Sequence, residues 1–234
     1  MTKRTKKQIE TIKLLALVAA MGISITAVIN TEQAFAFNLS ESAPQTPTQK
    51  VINITSDESG DCDMIGQWNQ HNKTCIIYNK ITVGVNDIVH IQPNAVLEIP
   101  SNITAIIYGT IENRGSLKNH GHIFNHGIIE NFKMISNDGM VKNYWGKINN
   151  NEGALLVNGG YMSDGKIGLH YIGTIDNHYG IIKNNGIMSN HSTLNNNWGT
   201  IFNNCLGSIV GTGHTLGNDI KQAKCVITIE TDKL

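Results

Sequence analysis

The sequence predicts an all-β fold, a single-stranded parallel β-helix (β-solenoid) of about 18 residues per coil, and it leaves the handedness open. From residue 109 to residue 144 the chain reads as six consecutive hexapeptides, GTIENR, GSLKNH, GHIFNH, GIIENF, KMISND and GMVKNY. Position one is Gly in five of the six, position three is Ile, Leu or Val in all six, and position five is Asn in all six. A short fixed period of this kind is typical of solenoids.

Alternation with a period of two gives each hexapeptide an inner and an outer face. The Gly, aliphatic and Asn positions lie on one face, and mostly polar residues lie on the other. One strand of this length would be unusual in a globular sheet, so the chain has to bend. Asn and Gly tolerate the backbone angles of a bend, which makes each hexapeptide one side of a three-sided coil.

The same pattern extends over residues 81–215, the predicted solenoid domain. Residues 81–107 are more hydrophobic and alternate similarly, the section 146–171 is irregular, and the pattern returns from Gly173 with single insertions at Tyr179 and Trp198. About seven turns are expected between residues 81 and 209.

Residues one coil apart should stack. The period predicts one aliphatic column through Ile111 and Ile129 and another through Leu117 and Ile135. Stacked Asn residues should form internal amide ladders that satisfy buried polar groups.

The amino terminus predicts export. Basic residues precede an apolar stretch from Leu14 to Ile29, and Ala34-Phe35-Ala36 follows, so residues 1–36 are predicted to be a signal peptide cleaved after Ala36. An uncleaved amino-terminal anchor is the alternative. Cleavage removes five basic and two acidic residues and leaves a net charge of about −3, which argues against nucleic acid or anionic lipid as a partner.

The regions flanking the solenoid contain the four cysteines. Residues 37–60 are predicted to be a flexible linker in which residues 51–55 add a first strand, residues 61–80 a stapled amino-terminal cap, and residues 216–234 a carboxyl-terminal cap or tail. An even number of cysteines in an exported chain favours two disulfides. Three pairings are open, and sequence proximity favours Cys62 with Cys75 and Cys205 with Cys225.

A Cys–Trp–Cys loop (Cys62, Trp68, Cys75), a leader of alternating aliphatic residues and the Gly-x-Ile-x-Asn hexapeptides together resemble the secreted, repeat-rich β-helix surface proteins abundant in archaeal envelopes. The resemblance covers most of the mature chain. It implies the architecture and a place at the cell surface, and it implies little about activity.

Two kinds of reactive site are alternatives to a surface role. His120 and His122 share an outward-facing local surface and are weak candidates for a copper or zinc site. His120 and His126 are six residues apart and should therefore lie on different sides of a coil. The residue expected next to His120 on the following coil is Asp138. Glu112 and Glu130, eighteen residues apart, could stack as a carboxylate pair in a lyase or hydrolase, or be a surface pair flanked by Arg114 and Lys118.

Aromatic residues at outward or inserted positions are the candidate binding surface. Trp145, Tyr161, Tyr171 and Trp198 are the residues expected to contact a glycan or an envelope protein, with the irregular section 145–171 as the place to search. The alternative is that these rings cap turns where the period slips. The sequence thus predicts a non-enzymatic, extracellular or envelope-associated protein with a structural, adhesive or glycan-binding role and no cofactor. A carbohydrate-active enzyme and a copper-binding protein are the alternatives.

Overall fold

The computed structural model describes residues 48–159, 161–163, 166–168 and 173–225. It is an all-β fold, with 56% strand and 2% helix, built as a parallel β-solenoid. The fold class predicted from the sequence is therefore confirmed. The predicted signal peptide with its cleavage site at Ala36, the first part of the linker and the last nine residues lie outside the described residues.

The strands are, in chain order, β1 (Val51–Ile54), β2 (Gly66–Asn69), β3 (Thr74–Ile77), β4 (Ile81–Val83), β5 (Ile88–Ile91), β6 (Val96–Ile99), β7 (Thr104–Ile107), β8 (Thr110–Asn113), β9 (Ser116–Asn119), β10 (His122–Asn125), β11 (Ile128–Asn131), β12 (Met134–Asn137), β13 (Met140–Tyr144), β14 (Lys147–Asn150), β15 (Leu155–Asn158), β16 (Tyr161–Ser163), β17 (Lys166–Gly168), β18 (Thr174–His178), β19 (Ile181–Asn184), β20 (Ile187–Asn190), β21 (Thr193–Asn196), β22 (Thr200–Asn203), β23 (Ser208–Val210), β24 (His214–Gly217) and β25 (Lys221–Gln222). A short 3-10 helix, Cys62–Met64, lies between β1 and β2.

Three long sheets form the three sides of the solenoid, and each coil adds one strand to each. The first sheet has the order β1-β5-β8-β11-β14-β19-β22-β25, the second β2-β3-β6-β9-β12-β15-β20-β23, and the third β4-β7-β10-β13-β18-β21-β24. Strand pairing is parallel apart from β2 with β3 and β16 with β17. Because the chain visits the sheets in turn, residues on successive coils lie directly above one another.

The predicted coil length of eighteen residues holds only in the most regular part. There Thr104, His122 and Met140 are register partners at that interval. Elsewhere the coils are longer, and the solenoid has about 6 turns of roughly 21 residues rather than seven of eighteen. The extra length lies at corners, where a residue such as Trp145, or the whole β16–β17 excursion, is added while the strands keep their register.

The core consists of stacked aliphatic columns. Ile129 pairs with Ile111 and Ile135 pairs with Leu117, as the period predicts, and all four side chains are buried. Each inward aliphatic residue thus contacts its equivalents above and below, so burial is shared between neighbouring coils.

Three amide ladders run beside these columns, one along each sheet. In each, the side-chain amide of one Asn donates to the side-chain oxygen of the Asn on the next coil, at 2.7 or 2.8 Å. The ladders are Asn113–Asn131–Asn150–Asn184–Asn203, Asn119–Asn137–Asn158–Asn190 and Asn125–Asn143–Asn177–Asn196. This confirms the predicted pairing of buried amides.

Both ends of the solenoid are fastened by disulfides, in the pairing that sequence proximity favours. Cys62 bonds to Cys75 and Cys205 bonds to Cys225. Strands lie on both sides of the 81–215 range, because β1 pairs with β5 at the amino-terminal end and β25 pairs with β22 at the other. No helix among the described residues is long and apolar enough to cross a membrane.

Candidate functional site: an aromatic column at one corner

One corner of the solenoid carries aromatic or histidine side chains on successive coils. It is the corner where each coil passes from the third sheet to the first, at or within two residues of the ends of strands β7, β10, β13, β18 and β21. We call this set the aromatic column, and its members are Tyr108, His126, Tyr144, Trp145, His178, Tyr179 and Trp198. It places seven rings along one edge of the molecule.

The rings of the column contact one another in two stacked runs. In the first run, Tyr108, His126 and Tyr144 follow each other with centroid distances of 5.2 and 6.0 Å and nearly parallel planes. In the second run, Trp145 stacks on Tyr179 at 5.4 Å and 9°, and Tyr179 stacks on Trp198 at 6.3 Å and 24°. His178 joins the runs through edge contacts with Tyr144 and Tyr179.

The second run is made of residues added to the coil. Trp145, Tyr179 and Trp198 each precede the Gly that opens the next side, and each has a left-handed backbone with φ of 54°, 58° and 61°. The glycine that follows cannot carry a side chain, because at Gly146 a Cβ would lie 2.5 Å from the ladder amide of Asn125. The left-handed backbone therefore falls on the inserted aromatic residue, whose side chain is exposed at the corner.

Exposure is greatest at the two ends of this run. Trp145 is 70% exposed and Trp198 is 69% exposed, against 46% for Tyr179 between them. Planes in contact are about 3.5 Å apart, so centroid distances of 5.4 and 6.3 Å mean that the rings are displaced sideways by about 4–5 Å. Each ring thus leaves part of its face open to solvent.

Other outward aromatic side chains have cations of this chain above them. Arg114 lies 4.9 Å from the ring centroid of Phe132, Lys142 lies 5.7 Å from that of Phe124, and Lys221 lies 5.4 Å from that of Phe202. Those phenyl rings already have cation–π partners. The exposed rings of the column differ from these, since they stack on other rings of the column.

The predicted binding residues are only partly brought together. Trp145 and Trp198 lie in the column, on either side of Tyr179. Tyr161 lies in β16, for which the backbone alone is described, and Tyr171 lies outside the described residues. Sequence reasoning missed that Trp145 is an insertion of the same type as Tyr179 and Trp198. Aligning the hexapeptides by corner would have found this, because each insertion follows the Asn of a third-sheet strand by two residues.

The two candidate catalytic carboxylates lie on neighbouring strands, and each is paired with other side chains of the chain. Glu112 and Glu130 are register partners on neighbouring strands. Glu112 accepts from Arg114 at 2.6 Å and lies 3.1 Å from Nδ1 of His90. Glu130 accepts from the side-chain amides of Asn149 and Asn151. Arg114 flanks the pair as expected, whereas Lys118 does not, because it lies on β9 in the second sheet.

The histidines considered for a metal site point to separate surroundings. His120 lies at a corner with its Nδ1 3.5 Å from Asp138, the neighbour that the period predicts. His122 is exposed at the start of β10. Among the residues that the structure describes, no group of three or more His, Cys, Asp or Glu side chains could hold a metal ion.

A serine–histidine contact was not predicted from the sequence. The hydroxyl of Ser189 lies 2.8 Å from Nε2 of His191, two residues further along the chain. Ser189 is buried, at 2% exposure. A substrate carbonyl could not approach this hydroxyl, so the contact satisfies a buried polar group.

Comparison of the chain with protein-family models, with curated proteins and with solved structures finds no match in any of the three.

Proposed function

We propose that this protein is a non-enzymatic, extracellular or envelope-associated β-solenoid that binds an extended glycan along its aromatic column. One observation carries the proposal: three inserted aromatic residues, Trp145, Tyr179 and Trp198, form an exposed, slipped stack at a single corner. The stack needs a reason beyond folding.

The corner can be turned without these insertions. Earlier coils pass it through Tyr108 or His126 followed directly by Gly, with no residue added. A left-handed backbone at a residue with a side chain is unfavourable by about 1–2 kcal/mol, and large exposed apolar surfaces are unfavourable in water. Ring stacking contributes about 0.5–1.5 kcal/mol per pair. This offsets the backbone strain at the inserted residues but does not explain why their rings are exposed.

An extended sugar chain fits the column in both shape and chemistry. The C–H face of a pyranose packs on an aromatic face by dispersion and by releasing water. One pyranose unit is about as long as the strand spacing of about 4.8 Å, so successive sugars could follow successive coils. The imidazoles of His126 and His178, which belong to the column, offer hydrogen bonds to hydroxyls.

A non-catalytic role is supported by the engagement of the acidic side chains. A glycosidase requires one carboxylic acid and one carboxylate free to act on the same sugar. Glu112 is held by Arg114 and His90, and Glu130 by two asparagine amides. Both carboxylates therefore serve local pairing on the outer face of the first sheet.

An extracellular location is supported by two independent features. The two disulfides indicate an oxidising environment. The amino-terminal sequence has the basic, apolar and Ala-x-Ala regions of a signal peptide.

The test is polysaccharide binding by the purified protein. Affinity electrophoresis through gels containing neutral and acidic polysaccharides should show retardation by at least one polymer. A Trp145→Ala/Trp198→Ala double variant should lose at least tenfold in affinity for it. Phe132→Ala, an exposed aromatic outside the column, is the matched control and should bind normally.

Three results would contradict the proposal. They are no retardation in any gel, unchanged binding by the double variant that remains folded by circular dichroism, and equal loss in the Phe132→Ala control. Release of reducing sugars that is abolished by Glu112→Gln or Glu130→Gln would replace it with the enzymatic alternative.

A further inference from the structure

The chain contains five Asn-x-Ser/Thr sequons, at Asn38, Asn53, Asn72, Asn102 and Asn190. Each is a potential site of N-linked glycosylation in an exported protein, provided that the amide is accessible. Asn38 lies outside the described residues. The other four differ in whether the asparagine amide and the Ser or Thr hydroxyl are accessible.

Two sequons have their acceptor amide occupied. Asn190 is 3% exposed and belongs to an amide ladder, where its side-chain oxygen accepts from Asn158 at 2.8 Å and its amide donates to the carbonyl of His214. The side chain of Asn53 is half-buried, and its amide donates to the carboxylate of Asp61. A glycan on Asn190 would break the ladder, and one on Asn53 would break one of the three hydrogen bonds that join Asn53 to Asp61.

Asn72 has an accessible amide but an inaccessible threonine. Asn72 is exposed in the turn between β2 and β3. The threonine of its sequon, Thr74, is 2% exposed, and its hydroxyl donates to the backbone carbonyl of Asn72. Since a transferase must contact the hydroxyl of the sequon, this site is closed once the cap has folded.

Asn102 meets both requirements. It is exposed, in a turn closed by a hydrogen bond of 2.9 Å from the backbone N–H of Ile103 to the carbonyl of Pro100. Thr104, the threonine of the sequon, begins β7 with its side chain on the outer face and half-exposed. The acceptor amide and the hydroxyl are therefore both accessible on the folded solenoid.

We propose that Asn102 is an N-glycosylation site that is modified in the folded protein. The donor is a lipid-linked oligosaccharide (pyro)phosphate. A bond forms between Nδ2 of Asn102 and the anomeric carbon, the bond from that carbon to the phosphate oxygen breaks, and Nδ2 loses one proton while the lipid phosphate leaves.

The site lies at a different corner from the aromatic column. Asn102 lies at the corner between the second and third sheets, and the column lies at the other end of β7. Four strand residues separate the two corners by about 13 Å. The inference therefore does not depend on the function proposed for the column, and a glycan at Asn102 would shield the amino-terminal coils.

The experiment is glycosylation of the folded, disulfide-bonded chain by a purified oligosaccharyltransferase with its lipid-linked donor, followed by glycopeptide mass spectrometry. Among Asn53, Asn72, Asn102 and Asn190, we expect modification at Asn102 alone, and at none of the remaining three in an Asn102→Gln variant. Peptides containing Asn53, Asn72 and Asn190 should be unmodified in the folded chain and become modified when the reduced, denatured chain is offered.

The proposal is overturned if the denatured chain is modified at Asn102 while the folded chain is not, or if Asn190 is modified in the folded chain as readily as Asn102. It is also overturned if protein isolated from its native producer has no glycan on Asn102 when other exported proteins of that cell are N-glycosylated.

Discussion

The side-chain amide of Asn125 donates a hydrogen bond of 2.7 Å to the side-chain oxygen of Asn143, one coil further along the solenoid, and neither side chain is exposed. The side-chain amide of Asn143 in turn donates to the side-chain oxygen of Asn177 at 2.8 Å. Each residue within a ladder is thus both donor and acceptor, so loss of one member affects two neighbours.

We expect Asn143→Val to lower the free energy of unfolding by about 2–5 kcal/mol, because two buried groups lose a hydrogen bond. The amide of Asn125 loses one of its two acceptors, and the side-chain oxygen of Asn177 loses the Asn143 amide. Urea unfolding followed by circular dichroism measures the change. Asn79→Ala, at an exposed position, should shift stability by less than about 0.5 kcal/mol. Equal effects of the two substitutions would show that the ladder contributes no stability.

Adjacent isoleucines test the alternation of faces. Ile129 is 2% exposed and Ile128 is 37% exposed. Ile129→Ala should cost about 2–5 kcal/mol through lost burial and a cavity, whereas Ile128→Ala should cost less than about 1 kcal/mol. The same urea titration measures both. A larger loss at Ile128 would mean that the strand register is shifted by one residue.

Substitutions at two glycines distinguish the cost of close packing from the cost of a left-handed backbone. A Cβ on Gly139 would lie 2.2 Å from the carbonyl oxygen of Gly121, whereas Gly153 has open space around it and a φ of +74°. Gly139→Ala should destabilise by about 3 kcal/mol or more, because the strand backbone must move. Gly153→Ala should cost about 1–2 kcal/mol from the left-handed backbone alone. Thermal unfolding would contradict this if it ranked the two variants in the opposite order.

The two disulfides should differ in how readily they are reduced. Cys62 and Cys75 are fully buried, whereas Cys205 and Cys225 are exposed in the last coil. A thiolate must reach the sulfur it attacks, so dithiothreitol under native conditions should open Cys205–Cys225 first. Timed alkylation and peptide mass spectrometry measure the order. Simultaneous reduction would indicate that the amino-terminal cap opens as easily as the last coil.

Local sequence was enough to predict the fold, the stacked columns and the amide ladders. A residue such as Ile111 or Asn113 is directed inward by strand alternation, and the fixed period then determines which residue lies above it. The period did not predict where a ladder begins. Asn113 and Asn119 follow Ile91 and Ile99 in their columns, so their side-chain oxygens accept no hydrogen bond from any residue that the structure describes.

By itself, the sequence determined the repeating part of this protein, because nearest-neighbour stacking depends only on a period of two within strands and a period of about eighteen between them. Only the tertiary structure decided which irregular residues meet. Trp145 and Tyr179 are 34 residues apart but stack at 5.4 Å, since the intervening excursion adds chain length at another corner without disturbing the register of β13 with β18. Insertions change sequence spacing and leave the coil geometry intact, so the aromatic column becomes visible only when the coils are stacked.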